Sequence, residues 1–255
     1  MSLKIDYISD LHLDFHIRIK GKWQPKMVAF LTSLLPKEKG DVLIIAGDLS
    51  HYNVQSFFLL KFFSDIYKQV FFVLGNHDYY LVAENQEKKY HRKSIEREIE
   101  LTQMISVLPN VKLLSLFEAF VYEGVTFAGS TSWYGLETIT EQLFFKDESN
   151  DSVLIKGIDI SLMHKKEMEA YEQLQQVDVL ITHVPPIVLD SYFLDGPTSC
   201  YLNELPYISA QICIFGHCHT QELFEKAGII FCANALGYPD QKLPKAIQSI
   251  KIREK

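Results

Sequence analysis

The sequence predicts an α/β fold, on two observations. Across its first third, short β-branched apolar runs alternate with segments whose apolar residues fall at helical spacing. Several of these runs, and later ones, end alike, in a turn carrying Asp, Asn or His. At 255 residues, 47% hydrophobic and 22% charged, the chain is long enough to bury a sizeable core. It holds no linker, low-complexity stretch or internal repeat, so we expect one domain over residues 1–255.

In chain order, residues 3–9 read as a strand leading into Asp10-Leu11-His12-Leu13-Asp14. Residues 23–35 place Met27, Phe30, Leu31, Leu34 and Leu35 on one helical face, closed by Pro36 and Gly40. A second strand over 41–46 runs into Gly47-Asp48. Residues 54–67, rich in Phe and Leu, read as a buried helix. A third strand over 70–74 ends in Gly75-Asn76-His77-Asp78. Residues 83–108 read as one long charged helical stretch with an apolar stripe at Ile95, Ile99, Ile105 and Leu108; its charges are expected on a solvated face. From 111 to 129 the period becomes strand-like, with a turn at Glu123-Gly124, and a second sheet is expected there. Residues 130–157 are the least regular, a candidate lid. A helix over 158–176 precedes a strand over 177–182 that ends at His183. After a long connection over 187–209, the strand 211–215 ends in Gly216-His217-Cys218-His219. A hairpin around Gly228 and a last strand over 245–252 complete the reading.

Charge and cysteine usage narrow the function classes. A net charge of −7 argues against a nucleic-acid coat or a membrane-surface protein, which present basic faces. No run approaches a membrane span, and Met1-Ser2-Leu3-Lys4 lacks the apolar core of a secretory leader. The four cysteines, without Cys-x-x-Cys spacing, are expected as free thiols in a reducing cytoplasm rather than as a structural zinc site.

Taken alone, Asp48 is an ordinary helix-capping residue. The other strand ends change that reading. Asp10, His12, Asp48, Asn76, His183, His217 and His219 all sit where strands end, and in an α/β sheet such loops converge on one crevice. These donors are too many for one ion and suit two divalent ions sharing a carboxylate, a known device for phosphoryl-transfer hydrolysis. Asp-x-His and His-x-His place donors two residues apart, which in extended chain points them the same way. Mixed imidazole and carboxylate suit Mn, Fe, Zn, Co or Ni. The ions outweigh the charges of Asp10, Asp48 and a bridging hydroxide, so the site can accept an anionic phosphate and present the hydroxide as nucleophile. Gly47, Gly75 and Gly216, each before a ligand, are expected to serve turn geometry.

Asp-x-His, Gly-Asp, Gly-Asn-His-Asp, a downstream His and Gly-His-x-His, in this order over roughly residues 5–240, resemble the five-part signature of the calcineurin-like metallophosphoesterases. The resemblance implies a four-layer α/β/β/α sandwich of two mixed sheets flanked by helices. It implies that Asp10, His12, Asp48 and His219 hold one metal, and that Asp48, Asn76, His183 and His217 hold the other. Two divalent transition ions, Mn, Fe or Zn, are expected, with Mn the choice in vitro. His77 would face substrate as general acid or phosphate clamp and Asp78 would orient it; the competing reading has both capping the next helix.

His16 and His51, just beyond two metal loops, could touch substrate but read first as solvent-exposed, and His91 and His164 as surface residues. Cys218 is expected to pack behind its loop. Tyr79 and Tyr80 belong either to pocket or to core, and Trp133 to core. Asn234-Ala235-Leu236-Gly237-Tyr238 resembles a stretch found in bacterial members of the family. The expected activity is hydrolysis of a small phosphorylated substrate, a phosphodiester or phosphomonoester such as a nucleotide. The alternatives are a nuclease, disfavoured by the acidic balance, and a non-catalytic scaffold, disfavoured by the complete ligand set.

Overall fold

A computed structural model of the chain describes residues 3–189 and 199–252. Two mixed sheets face each other. In the first, β1 (Leu3–Ile8), β2 (Val42–Ala46), β3 (Gln69–Val73) and β4 (Val111–Leu113) run parallel, and β11 (Gln248–Ile252) lies antiparallel beside β1. In the second, β6 (Val125–Ser130), β7 (Val179–Thr182), β8 (Ile212–Phe215) and β10 (Ile229–Asn234) run parallel. Antiparallel edges close it at β5 (Phe120–Tyr122) and β9 (Gln221–Lys226).

Strand alternation sorts the core into layers. Val42, Ile44, Phe71 and Val73 meet Phe127, Val179, Ile181 and Ile214 between the sheets. Their neighbours Leu43, Ile45, Val70 and Phe72 point outward against helices α2 (Trp23–Leu34), α3 (Asn53–Ser64) and α5 (Ile95–Ile105). On the far side, Leu180, Cys213 and Phe231 pack with Tyr171 of α8 (Ile160–Glu172). Strands buried on both faces read as continuous apolar runs, as β2 and β3 do. The expected four-layer α/β/β/α sandwich is therefore the architecture.

Several expectations need correction. The stretch 83–108 is two helices, α4 (Glu84–Lys89) and α5, broken where His91 and Arg92 take left-handed backbone at φ 52° and 55°. Its charges are not all solvated, since Arg97 is 1% exposed. The stretch 130–157 contains α6 (Ile139–Glu148) and α7 (Asn150–Leu154). Thr138 and Glu141 form a capping box at the start of α6, a Thr-x-x-Glu signal visible in the sequence. The last strand begins at Gln248, not Lys245. Of the long connection 187–209, residues 190–198 lie outside the described residues. Three short helices complete the described set: α1 (Leu13–His16), a 3₁₀ turn at Asn76–Tyr79 that follows β3, and a 3₁₀ turn at Ser199–Tyr201. Among the described residues no helix is long and apolar enough to cross a membrane.

Candidate metal centre

The carboxyl ends of β1, β2, β3, β7 and β8 meet where the two sheets are stitched together. Ser9 N–H donates to Asn234 O (3.0 Å), Asp10 N–H to Gly47 O (3.0 Å) and Gly216 N–H to His183 O (2.9 Å). The first bond joins the two sheets and the other two tie neighbouring strand-end loops within each, so side chains far apart in sequence face one point.

Asp10, His12, Asp48 and His219 bring one donor atom each within 4.8 Å of one another. His12 Nε2 lies 3.6 Å from Asp48 Oδ2, His219 Nε2 lies 3.7 Å from Asp10 Oδ1, and the two Nε2 atoms are 2.9 Å apart. A second group adjoins it. His183 Nε2 is 3.4 Å from Asp48 Oδ2 and 3.1 Å from Asn76 Oδ1, and the His183 and His217 rings lie 5.1 Å apart. One oxygen of Asp48 thus faces both groups, while its other oxygen accepts the His77 N–H at 2.9 Å.

The paired ligands do not project from extended chain, as expected from the sequence. Asp10, His12, Asp48, His217 and His219 all have left-handed backbone, with φ between 41° and 70°. Asp and His are among the residues that enter this region most readily, and such strain persists only where the surroundings over-determine it. The glycines also differ from expectation. Gly75 has φ −101° and ψ 175°, open to any residue, so space is what it supplies: a Cβ there would overlap Asp48 Oδ1. Gly47, at φ +87°, combines both needs, since a Cβ there would overlap His183 Nδ1.

The chemistry of the donor set fits divalent transition ions. His183 Nδ1–H donates to Ala46 O (2.8 Å), His219 Nδ1–H to Gln241 Oε1 (2.9 Å) and His217 Nε2–H to Cys200 O (2.9 Å). A carbonyl oxygen only accepts, so each bond fixes the tautomer and leaves the other ring nitrogen as a lone pair, the outer support typical of metal-ligating histidines. Burial disfavours the Asp48 anion, but His183, His77 and His12 outweigh that and hold its carboxyl well below the usual range. Burial opposes a positive charge on His183, while the Asp48 carboxylate favours one at this point, as it would favour a bound cation.

His77 and Asp78 stand differently from expectation. Asp78 does not touch the His77 ring. Its carboxylate accepts the backbone N–H groups of Asp48 (2.9 Å), Leu49 (3.0 Å) and Gly75 (2.9 Å), so it ties the loop after β2 to the turn after β3. Burial, and the nearby Asp48 charge, raise its carboxyl to about 6. Burial pushes His77 down to about 4, with Asp48 opposing. The ring of His77 instead meets His51, which is buried rather than exposed.

Other assignments resolve as follows. His16 Nε2 lies 2.9 Å from Gly237 O and its ring stacks on Phe30. His91 is exposed; His164 is half-buried and donates to Trp133 O at 2.6 Å. Trp133 is core, and Tyr79 and Tyr80 are buried, Tyr80 stacking on His77. Cys218 is buried against Tyr201 O. Tyr238 stands at the site, with its ring 4.6 Å from that of His12 and 4.7 Å from that of His219. Two groups were missed. Asp14 lies two residues beyond Asp-x-His, a spacing that could have raised it. Asp151, on α7, carries no local signal.

A cavity of about 420 Å³ opens over these donors, bounded by Tyr80, Glu148, Asp151, Tyr201, Tyr238 and Gln241. A four-layer sandwich with imidazoles and carboxylates gathered at its strand ends defines a metal-dependent phosphoesterase. The profile of the calcineurin-like phosphoesterases matches residues 3–221, and the chain belongs to that family. An uncharacterized protein of Acanthamoeba polyphaga mimivirus is 28% identical over 277 aligned positions, covering 92% of this chain and 91% of its own. The crystal structure of phosphopantetheinyl hydrolase from Mycobacterium tuberculosis shares the fold. It has 19% identity and a TM-score of 0.70, over 97% of this chain and 95% of that one.

Proposed function

We propose that the chain is a dinuclear metal-dependent phosphohydrolase acting on a phosphate ester of a small molecule, a diester or a monoester. The observation that carries this reading is the position of Asp48 Oδ2, 3.6 Å from His12 Nε2 and 3.4 Å from His183 Nε2. Asp48 is the shared ligand; Asp10, His12 and His219 complete one position, and Asn76, His183 and His217 the other. Two divalent ions held there would polarise the phosphoryl oxygens and bring bound water to an ionisable range near neutral pH. Mn, Fe and Zn all suit this mixture of nitrogen and oxygen donors.

The protein supplies the rest. His77 reaches the cavity beside the shared carboxylate and serves as acid to the leaving oxygen. Asp78 acts one step back, by holding the loops that carry Asp48 and Asn76. Among the described residues no Lys or Arg lines the cavity, whereas Glu148 and Asp151 do. That favours a small ester over a nucleic-acid backbone, which is gripped by cations. Four buried thiols with no disulfide among them support a reducing compartment.

The test is metal analysis followed by hydrolysis of mono- and bis-(4-nitrophenyl) phosphate with added Mn²⁺. We expect close to two ions per chain and hydrolysis that Asp48→Ala abolishes. A panel of nucleotides and phosphopantetheine-type diesters, the latter suggested by the name of the mycobacterial neighbour, then narrows the substrate. Protein that binds no metal, or that loses nothing on Asp48→Ala, would sink the reading; cleavage of DNA or RNA alone would make it a nuclease.

A further inference from the structure

The segment between β6 and β7 delivers a buried carboxylate to the cavity wall beside Asn76. Asp151, on α7, is 3% exposed. Its Oδ1 accepts from Asn76 Nδ2 at 2.7 Å and from the Tyr80 hydroxyl, and its Oδ2 accepts from the Tyr134 hydroxyl. The Tyr80 oxygen takes a second contact from Asn76 Nδ2, at 3.3 Å. The Asn76 NH₂ is thereby committed to Asp151 and Tyr80. Its oxygen faces the other way, 3.1 Å from His183 Nε2.

A carboxylate only accepts hydrogen bonds. Turning the Asn76 amide over would set its oxygen against the Asp151 anion and point its NH₂ at the ligand cluster, where lone pairs are required. Asp151 has its own oxygens engaged by three neutral donors, so they are not offered to an ion.

We propose that Asp151 is a positioning residue that locks the Asn76 amide with its oxygen toward the second metal position, which makes the α6–α7 segment part of the metal centre. The proposal rests on the reading of Asn76 as a metal ligand. Outer partners of this kind typically tune metal affinity by about 10–100-fold.

The test reads metal binding, not turnover. Mn²⁺ is titrated calorimetrically into wild type, Asp151→Ala, Asp151→Asn, Asn76→Ala and the Asp151→Ala/Asn76→Ala double variant, with content checked by elemental analysis. We expect Asp151→Ala to weaken one of two sites about 10–100-fold and spare the other. Asp151→Asn, which keeps an acceptor but permits either amide orientation, should fall between. The double variant should bind no more weakly than Asn76→Ala. Wild-type affinity in both Asp151 variants overturns the proposal, and if Asp151→Ala does not fold, Asp151→Asn alone decides it. Additive losses in the double variant also overturn it, because Asp151 would then act independently of Asn76. Unchanged binding in Asn76→Ala overturns the ligand reading itself, and the proposal with it.

Discussion

His51 Nε2 lies 2.9 Å from His77 Nδ1, in rings within 13° of parallel, and His51 Nδ1 lies 2.8 Å from Asp14 Oδ2. The Asp14 carboxylate accepts, so His51 donates from Nδ1 and offers Nε2 to the Nδ1–H of His77. His77 is left with Nε2 for the cavity. As the neutral ring favoured by burial, it would meet a phosphate oxygen lone pair to lone pair, so the proton it gives a leaving group has to arrive with the substrate. Asp14 and His51 stabilise that charged form. We therefore predict that His51→Ala slows hydrolysis of esters with alkyl leaving groups by about 10²-fold or more, the usual worth of a positioned acid. Esters of 4-nitrophenol, which leave without a proton, should be far less affected, and metal content should hold at the wild-type value. An equal loss on both substrate types would remove the relay.

Gly75→Ala tests how tightly the shared carboxylate is held. The new methyl would overlap Asp48 Oδ1 and lie 2.7 Å from His183 Cε1, neither of which can yield without leaving the centre. We expect a loss of about 1–3 kcal/mol in stability, the usual range for overpacking, together with reduced metal content. Gly228→Ala is the matching control. It sits at φ +79° with nothing within 4 Å of an added Cβ, so it should cost stability through backbone strain alone and bind metal as wild type does. Denaturant midpoints and metal content of the two variants check both statements.

Arg97 ties together the two loops that carry Asp48, Asn76 and His77. Its guanidinium donates to His77 O (3.1 Å), Tyr80 O (2.8 Å), Ser50 O (2.9 Å) and Asn53 Oδ1 (3.2 Å) from a buried position on α5. Removing it takes the donor from the buried carbonyls of Ser50 and Tyr80 and from Asn53 Oδ1, and we predict that Arg97→Met lowers stability by roughly 3–5 kcal/mol, measured by urea unfolding. Arg97→Lys keeps the charge but not the planar fork. It should restore only part of that stability and leave metal affinity reduced, as calorimetric titration would register.

The fold and the set of donors that converge at the strand ends were legible because both rest on local pattern. Buried parallel strands such as Val42–Ala46 announce themselves as β-branched runs, and donors placed just past them need no tertiary information to be collected. What surrounds the ligands was not legible. Arg97 reads as one more charge on a polar helix, and only the crossing of α5 under the turn at Asn76–Tyr79 buries it. Asp151 sits in an acidic, turn-prone stretch whose direction is set by packing. Asp78 stands next to His77 in sequence, which suggests contact, yet its carboxylate goes to the backbone N–H groups of Asp48, Leu49 and Gly75, and the partner of the His77 ring comes from the loop after β2.

Glu167 gives a stability prediction away from the metals. It is buried on α8, and burial raises its carboxyl from the ordinary 4.5 to about 7, against hydrogen bonds from Ser130 Oγ (2.5 Å) and Trp133 N–H (2.5 Å). The folded chain therefore keeps a proton that the unfolded chain has already released between these two values. Stability must fall as pH rises through that window and level off above it, by on the order of 3 kcal/mol from this group. Glu167→Gln removes the titration. Ser130 can rotate its hydroxyl to accept from the new amide, so the variant should fold. Urea unfolding of the wild type and the variant at pH 5 and pH 8 isolates this group: the stability of the wild type relative to Glu167→Gln should be lower at pH 8 than at pH 5. An unchanged pH dependence would mean that Glu167 is ionised in the folded protein at pH 5, with its charge met by the two donors already in place.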